Sequence, residues 1–400
     1  MSTNKMAGYQ QRLKYFQDIL ETDVIDIKKI RNLCFTGSCP HEKGIRSQCW
    51  KILLNYLPPE RNQWKSSLHH QRNLYKQYID EMIVLPGKKT KSKESASGEL
   101  EDHPLNLNPD SEWSGTFRDN EQLIQIDKDC RRLCPDLSFF QQATEFPCEE
   151  LVHSSSNVET LRKRVEQCVL QSETVAKNRL GIYYNTVSKK RTLNEEYAVL
   201  PDGKEAHWEV VERILFVYAK LNPGLGYVQG MNEILGPIYY TFATDPDQDC
   251  REFAEADSFF CFTCLMGEIR DFFIKTLDDS QYGIGSKMCH LMEMVKEFDR
   301  PLWQSILDQE LKPQFYAFRW ITLLLSQEFE LPDVLRIWDS LFADSNRFEF
   351  LQFVCCAMLM SVRNELIRGD FPNSMKLVQN MSTAIDLEQV LTKARELYSM

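Results

Sequence analysis

Apolar residues recur every three or four positions along most of this chain, the interval that places them on one face of an α-helix. Tyr9, Leu13, Phe16, Ile19 and Leu20, followed by Val24, Ile27, Ile30 and Leu33, predict short amphipathic helices over 9–33. A helix over 45–57 ends at Pro58-Pro59, because proline lacks the N–H that would continue it. Trp64, Leu68, Leu74, Tyr78 and Met82 predict another over 63–85, closed by Pro86-Gly87. Asp119, with Gln122 three residues on, resembles a capping box. The helix it starts carries Leu123, Ile126, Cys130 and Leu133 on its apolar stripe and stops at Pro135.

A short charged helix is predicted over 161–171. The clearest pattern follows, with Trp208, Val211, Leu215, Tyr218 and Leu221 on one face and Ile214, Phe216 and Val217 widening it. It stops at Asn222-Pro223-Gly224, and Ile234, Leu235, Ile238, Tyr239 and Phe242 continue the core beyond. Further helices are predicted over 252–276, 286–298, 300–308, 313–328, 331–342, 347–367 and 385–398. Strand-like alternation is nearly absent and no long period repeats, so the chain reads as all-α. Residues 88–101, rich in Lys, Ser and Glu, read as a mobile surface loop, 103–110 as an extended connector and 172–203 as an insertion loop.

With 400 residues the chain has material for one large core or two fused ones. A formal net charge of −11 argues against a general nucleic-acid binder, which needs a dominant basic face. The polar start shows no signal peptide, and the run Phe353–Val362 falls well short of the ~20 residues a membrane-spanning helix requires. A cytoplasmic protein is therefore expected, one that reaches membranes only peripherally and through partners. Thirteen cysteines without a secretion signal suggest reduced thiols. Cys261 and Cys264 lie in an apolar helix with no second pair to complete a site, and Cys34, Cys39, His41 and Cys49 match no usual zinc spacing. No resident metal or cofactor is expected. No phosphate-binding glycine loop, G-x-S-x-G elbow or H-E-x-x-H helix is present.

Two polar residues remain. Gln229 sits between Gly226 and Gly230 at the corner joining two apolar helices, where packing alone asks for Leu or Ala. Arg132 lies at the end of the helix that holds Asp129, three residues away and therefore a neighbour on the helix surface. Taken singly, each has an ordinary structural reading: a cation at a helix C-terminus, and a corner amide satisfying stray backbone groups.

Taken together, Ile126-x-x-Asp129-x-x-Arg132 and Tyr227-Val228-Gln229-Gly230-Met231-Asn232 resemble the IxxDxxR and YxQG(M)N motifs of the TBC-domain Rab GTPase-activating proteins. The resemblance extends to Gly44-Ile45-Arg46 with Trp50, to Phe318-Arg319-Trp320, to Pro332-Asp333-Val334 and to Trp338-Asp339-Ser340-Leu341-Phe342. These blocks stand in family order over roughly 36–346. Leu133 stands where the family often has Thr, and Val228 where Cys is common; both flank the motif residues without replacing them.

The resemblance implies an all-α fold of two helical subdomains flanking a groove. It implies an N-terminal helical extension over 1–35, the TBC domain over 36–346, and C-terminal helices over 347–400 packing on it. It also implies a GTPase-activating protein for a Rab-family small GTPase, with Arg132 as arginine finger and Gln229 as glutamine finger. Both would be supplied in trans to a partner in the GTP-bound state that carries the GTP and Mg2+, and the activity would regulate vesicle trafficking. Asp129, Tyr227, Gly230, Asn232, Arg319, Trp338 and Asp339 are the expected supporting or partner-binding residues. The alternative is a non-catalytic Rab-binding adaptor, against which the presence of both fingers argues.

Overall fold

The computed structural model describes residues 3–83, 112–152, 160–168, 200–201, 203–274 and 283–400. The predicted loop 88–101, the connector 103–110 and nearly all of 172–203 lie outside them. Among the described residues there is no β-strand, only the isolated bridges Val24 to Glu60 and Ala143 to Ala206. No described helix is long and apolar enough to cross a membrane.

The chain forms two compact units, Met1–Gln71 with Glu233–Met400, and Arg72–Asn232. In the first lie α1 (Thr3–Leu20), α2 (Ile27–Thr36) and α3 (Ile45–Leu53), and α4 (Trp64–Met82) leads the chain into the second unit. That unit holds α5 (Glu112–Cys130), α6 (Glu149–Val152), α7 (161–168) and α8 (His207–Leu221). With α9 (Met231–Ala243) the chain returns to the first unit. There it continues through α10 (Gln248–Glu252), α11 (Ala254–Ile269), α12 (Ile284–Phe298), α13 (Arg300–Asp308) and α14 (Ala317–Thr322). The last five helices are α15 (Leu331–Ala343), α16 (Glu349–Ser361), α17 (Arg363–Arg368), α18 (Phe371–Val378) and α19 (Leu387–Tyr398).

In the first unit α2 packs against α15, and α16 against α19. Trp50, Trp338 and Phe342 meet ring to ring in its centre. In the second unit the apolar stripe predicted for α5 is buried and packs on α8, itself buried almost all round. Charge ties α8 down at its middle and near its C-terminal end. Arg213 pairs with Glu205 inside the unit, and Lys220 Nζ donates to Asp119 at 2.6 Å.

Several predicted boundaries shift for physical reasons. α5 begins at Glu112, so Asp119 is a mid-helix acid that meets Lys220 and not an N-cap. The predicted helix over 313–328 stops at Thr322, because Leu324 and Leu325 take left-handed backbone and the Leu324 carbonyl turns to accept the Trp338 indole N–H at 2.9 Å. The helix over 347–367 breaks at Val362 into α16 and α17. α18 was not expected, although its signature is present. Asp370 caps it by accepting from the Asn373 N–H at 3.1 Å, and Pro372 occupies its first turn, where a missing N–H costs nothing.

Candidate functional site

The two segments singled out in sequence lie in the second unit, and one carboxylate joins them. α5 ends at Cys130, after which the chain tightens: the Arg132 N–H donates to the Asp129 carbonyl at 3.2 Å and the Leu133 N–H to that of Cys130 at 3.1 Å. The last carbonyls of a helix have no partner within it. Here Arg132 Nε takes the Lys128 carbonyl at 3.0 Å, while its Nη2 reaches Asp129 Oδ1 at 3.2 Å. The guanidinium is thus anchored at its base by two acceptors while its side chain stays 62% exposed.

Arg131, its chain neighbour, has the opposite fate. Its side chain is 11% exposed, donates to Asp127 Oδ2 at 2.9 Å and lies over the Trp208 ring at 4.5 Å. Of two consecutive arginines, the fold consumes one in its interior and presents the other to solvent.

Asp129 is buried, and its second oxygen is also occupied. Oδ2 accepts from the Tyr227 hydroxyl at 2.8 Å and from Gln125 Nε2 at 3.2 Å. Tyr227 precedes Gln229 by two residues. On the far side of Gln229, Asn232 donates from Nδ2 to the Asp129 carbonyl at 3.3 Å, and its Oδ1 lies 3.3 Å from the Tyr227 hydroxyl. The corner carrying Gln229 is therefore clipped on both sides to the residue that holds Arg132. Gln229 itself is exposed, one residue before Gly230 and two before the start of α9.

Glycine is required at both ends of this corner. Gly226 has φ +65° and Gly230 φ +102°, backbone that side chains rarely adopt. A Cβ on Gly226 would stand 2.5 Å from Gln122 Nε2, so α5 approaches the corner too closely for a larger residue. Gln122 and Gln125 were not expected in the site. The one available signal was the Gln125–Asp129 spacing of four, which makes them neighbours on α5.

The remaining expected residues are in the first unit. Asp339 is fully buried and accepts from Arg46 Nε and Nη2 at 3.2 Å each, from the Trp50 indole at 2.8 Å and from the Cys39 N–H at 2.8 Å. Trp338 is equally buried. Neither has surface with which to touch a partner, so their place is in the unit's framework. Arg46 and Trp50, four apart on α3, meet through the shared carboxylate. Arg319 grips Glu328 with two bonds, at 2.5 and 2.9 Å, and its side chain is 41% exposed.

In this all-helical fold the base of Arg132 and the corner carrying Gln229 thus meet at one buried aspartate. The family model described as Rab-GTPase-TBC domain matches residues 185–367. The chain belongs to this family. It is 58% identical over 395 residues to TBC1 domain family member 13 of Homo sapiens, covering 97% of this chain and 98% of that one. GTPase-activating protein gyp1 of Schizosaccharomyces pombe is 29% identical over 213 residues, 48% of this chain and 41% of that one. Among solved structures, the Ypt/Rab-GAP domain of Gyp1p superposes with a TM-score of 0.66 at 22% identity, covering 97% of this chain and 98% of that one, and so shares the fold.

Proposed function

We propose that this chain is a GTPase-activating protein for a Rab-family small GTPase, and that Arg132 and Gln229 enter the partner's active site as arginine and glutamine fingers. The observation that carries the reading is the Asp129 clamp, which holds the base of Arg132 and both flanks of Gln229 while leaving both functional groups facing solvent.

The chemistry suits the residue types. Charge in phosphoryl transfer spreads over the transferring group's oxygens, and a planar guanidinium donates to several of them at once. The neutral amide accepts a hydrogen bond from the attacking water with its carbonyl and donates one to a phosphoryl oxygen with its NH2, which fixes the in-line geometry. The GTP-bound partner brings the nucleotide and Mg2+, so the chain needs no cofactor of its own. On this reading it is a cytoplasmic regulator of membrane trafficking that meets membranes peripherally, through the Rab.

The test is a GTP-hydrolysis screen across purified Rabs, followed by Arg132→Ala and Gln229→Ala on a responsive one. An arginine finger contributes ~10³–10⁵ in rate, or about 4–7 kcal/mol of transition-state stabilisation. Loss of nearly all stimulation from folded variants is expected. Arg132→Lys should also be poor, since an ammonium lacks the guanidinium's fork. Full stimulation by folded Arg132→Ala protein would overturn the assignment, and binding without turnover by the parent chain would make it an adaptor.

A further inference from the structure

Away from the Arg132–Gln229 site, the first unit gathers three thiols at one point of its core. Cys34 is near the end of α2, Cys39 lies in the following turn and Cys49 is in α3. Their Sγ atoms all lie within 4.8 Å of one another, and those of Cys34 and Cys39 are 3.2 Å apart. Cys34 and Cys49 are 0% exposed and Cys39 2%. Among the described residues no other group of three His, Cys, Asp or Glu side chains converges in this way.

We propose that Cys34, Cys39 and Cys49 form a three-thiolate site for a thiophilic closed-shell cation, copper(I) or zinc(II). A metal–thiolate bond of about 2.3 Å places trigonal sulfurs about 4.0 Å apart, within the span the three already occupy. Soft sulfur donors select soft cations. His41 is exposed and contributes no fourth ligand. Both oxygens of Asp339 are taken by Arg46, Trp50 and the Cys39 N–H. A set of three favours copper(I), because structural zinc sites are almost always four-coordinate.

The charged groups around the cluster are Asp339 and the Arg46 guanidinium bound to it. Binding breaks three S–H bonds, forms three metal–sulfur bonds and releases three protons to solvent, with no change of oxidation state. Because protons compete with the cation for the same sulfurs, loading weakens as pH falls. The bound ion would join α2, the turn and α3 beside the Asp339 network.

The test uses the full chain, purified under reducing conditions without chelator and also refolded with either copper(I) or zinc(II), with metal content read by elemental mass spectrometry. About one equivalent per chain is expected, copper and zinc being distinguished by element, with at least a ~10-fold loss in Cys49→Ser and Cys49→Ala. Cys289→Ser, at an exposed cysteine elsewhere, should keep the ion. A chelator should lower the melting temperature of the unaltered chain, an arm that does not depend on any variant folding. Protein that is isolated without metal and takes up neither ion on refolding overturns the proposal. So does a Cys34–Cys39 disulfide found by peptide mass spectrometry in the reduced preparation.

Discussion

Replacing Tyr227 by Phe removes one oxygen and leaves the ring in place, so it isolates the bond that ties the Gln229 corner to Asp129. The hydroxyl lies 2.8 Å from Asp129 Oδ2 and 3.3 Å from Asn232 Oδ1. A hydrogen bond to a charged group is worth about 1.5–3 kcal/mol net. The lower end applies, because Oδ2 keeps Gln125 Nε2 at 3.2 Å and is not left unpartnered. If that energy holds the corner in its working arrangement, losing about 1.5 kcal/mol lowers the population of the arrangement roughly tenfold. The rate of Rab-stimulated GTP hydrolysis, measured with limiting Tyr227→Phe protein, should fall by about that factor. The fall should be far smaller than the ~10³–10⁵ expected for Arg132→Ala. A chain of this size should lose only a few degrees of melting temperature, about 2–4 °C per kcal/mol at most. Unchanged stimulation by folded Tyr227→Phe protein would refute the clamp as a positioning device, while leaving the finger assignment standing.

Gly226→Ala puts a methyl group 2.5 Å from Gln122 Nε2 on backbone with φ +65°, so it should cost about 1–2 kcal/mol and lower stimulation; pairing it with Gln122→Ala should recover part of the loss. Asp339→Asn keeps the shape but leaves the nearly buried Arg46 without its counter-charge, and chemical denaturation should show a loss of about 3–5 kcal/mol. Glu212 offers a test in pH. It is buried against Asp127, and burial first, then the neighbouring acids, hold its carboxyl well above the usual range. A raised folded pKa favours folding below the ordinary carboxyl value of 4.5 and loses that advantage as pH rises toward the folded value. Glu212→Gln should therefore raise the melting temperature at pH well above 4.5 and change it little below, and an equal shift at both would contradict the assignment.

Much of the site was legible because its spacings are local. Asp129 and Arg132 are three apart on one helix, and Gln229 stands between glycines whose positive φ only a tight corner demands. What spacing did not reveal is how the two segments meet, since Tyr227 and Asp129 are separated by 98 positions. The same holds for Asp339, which lies 293 positions from Arg46 and 289 from Trp50, and whose complete burial makes it framework and not contact surface.

By itself, the sequence determined what short-range energies control. Helix faces follow from apolar residues at intervals of three and four and helix ends from Pro, Gly and capping Asp, while the two candidate groups came from the resemblance of their motifs to a known family. Tertiary structure alone decided which of two chemically identical neighbours is buried. Arg131 and Arg132 share a charge, a helix end and a nearby acid, yet one is drawn over Trp208 and the other is left in water. Burial depends on which face of α5 meets α8, and three cysteines become one cluster only when a turn brings α2 and α3 together. Those are long-range packing outcomes, set by the summed burial of a whole unit, and no local spacing encodes them.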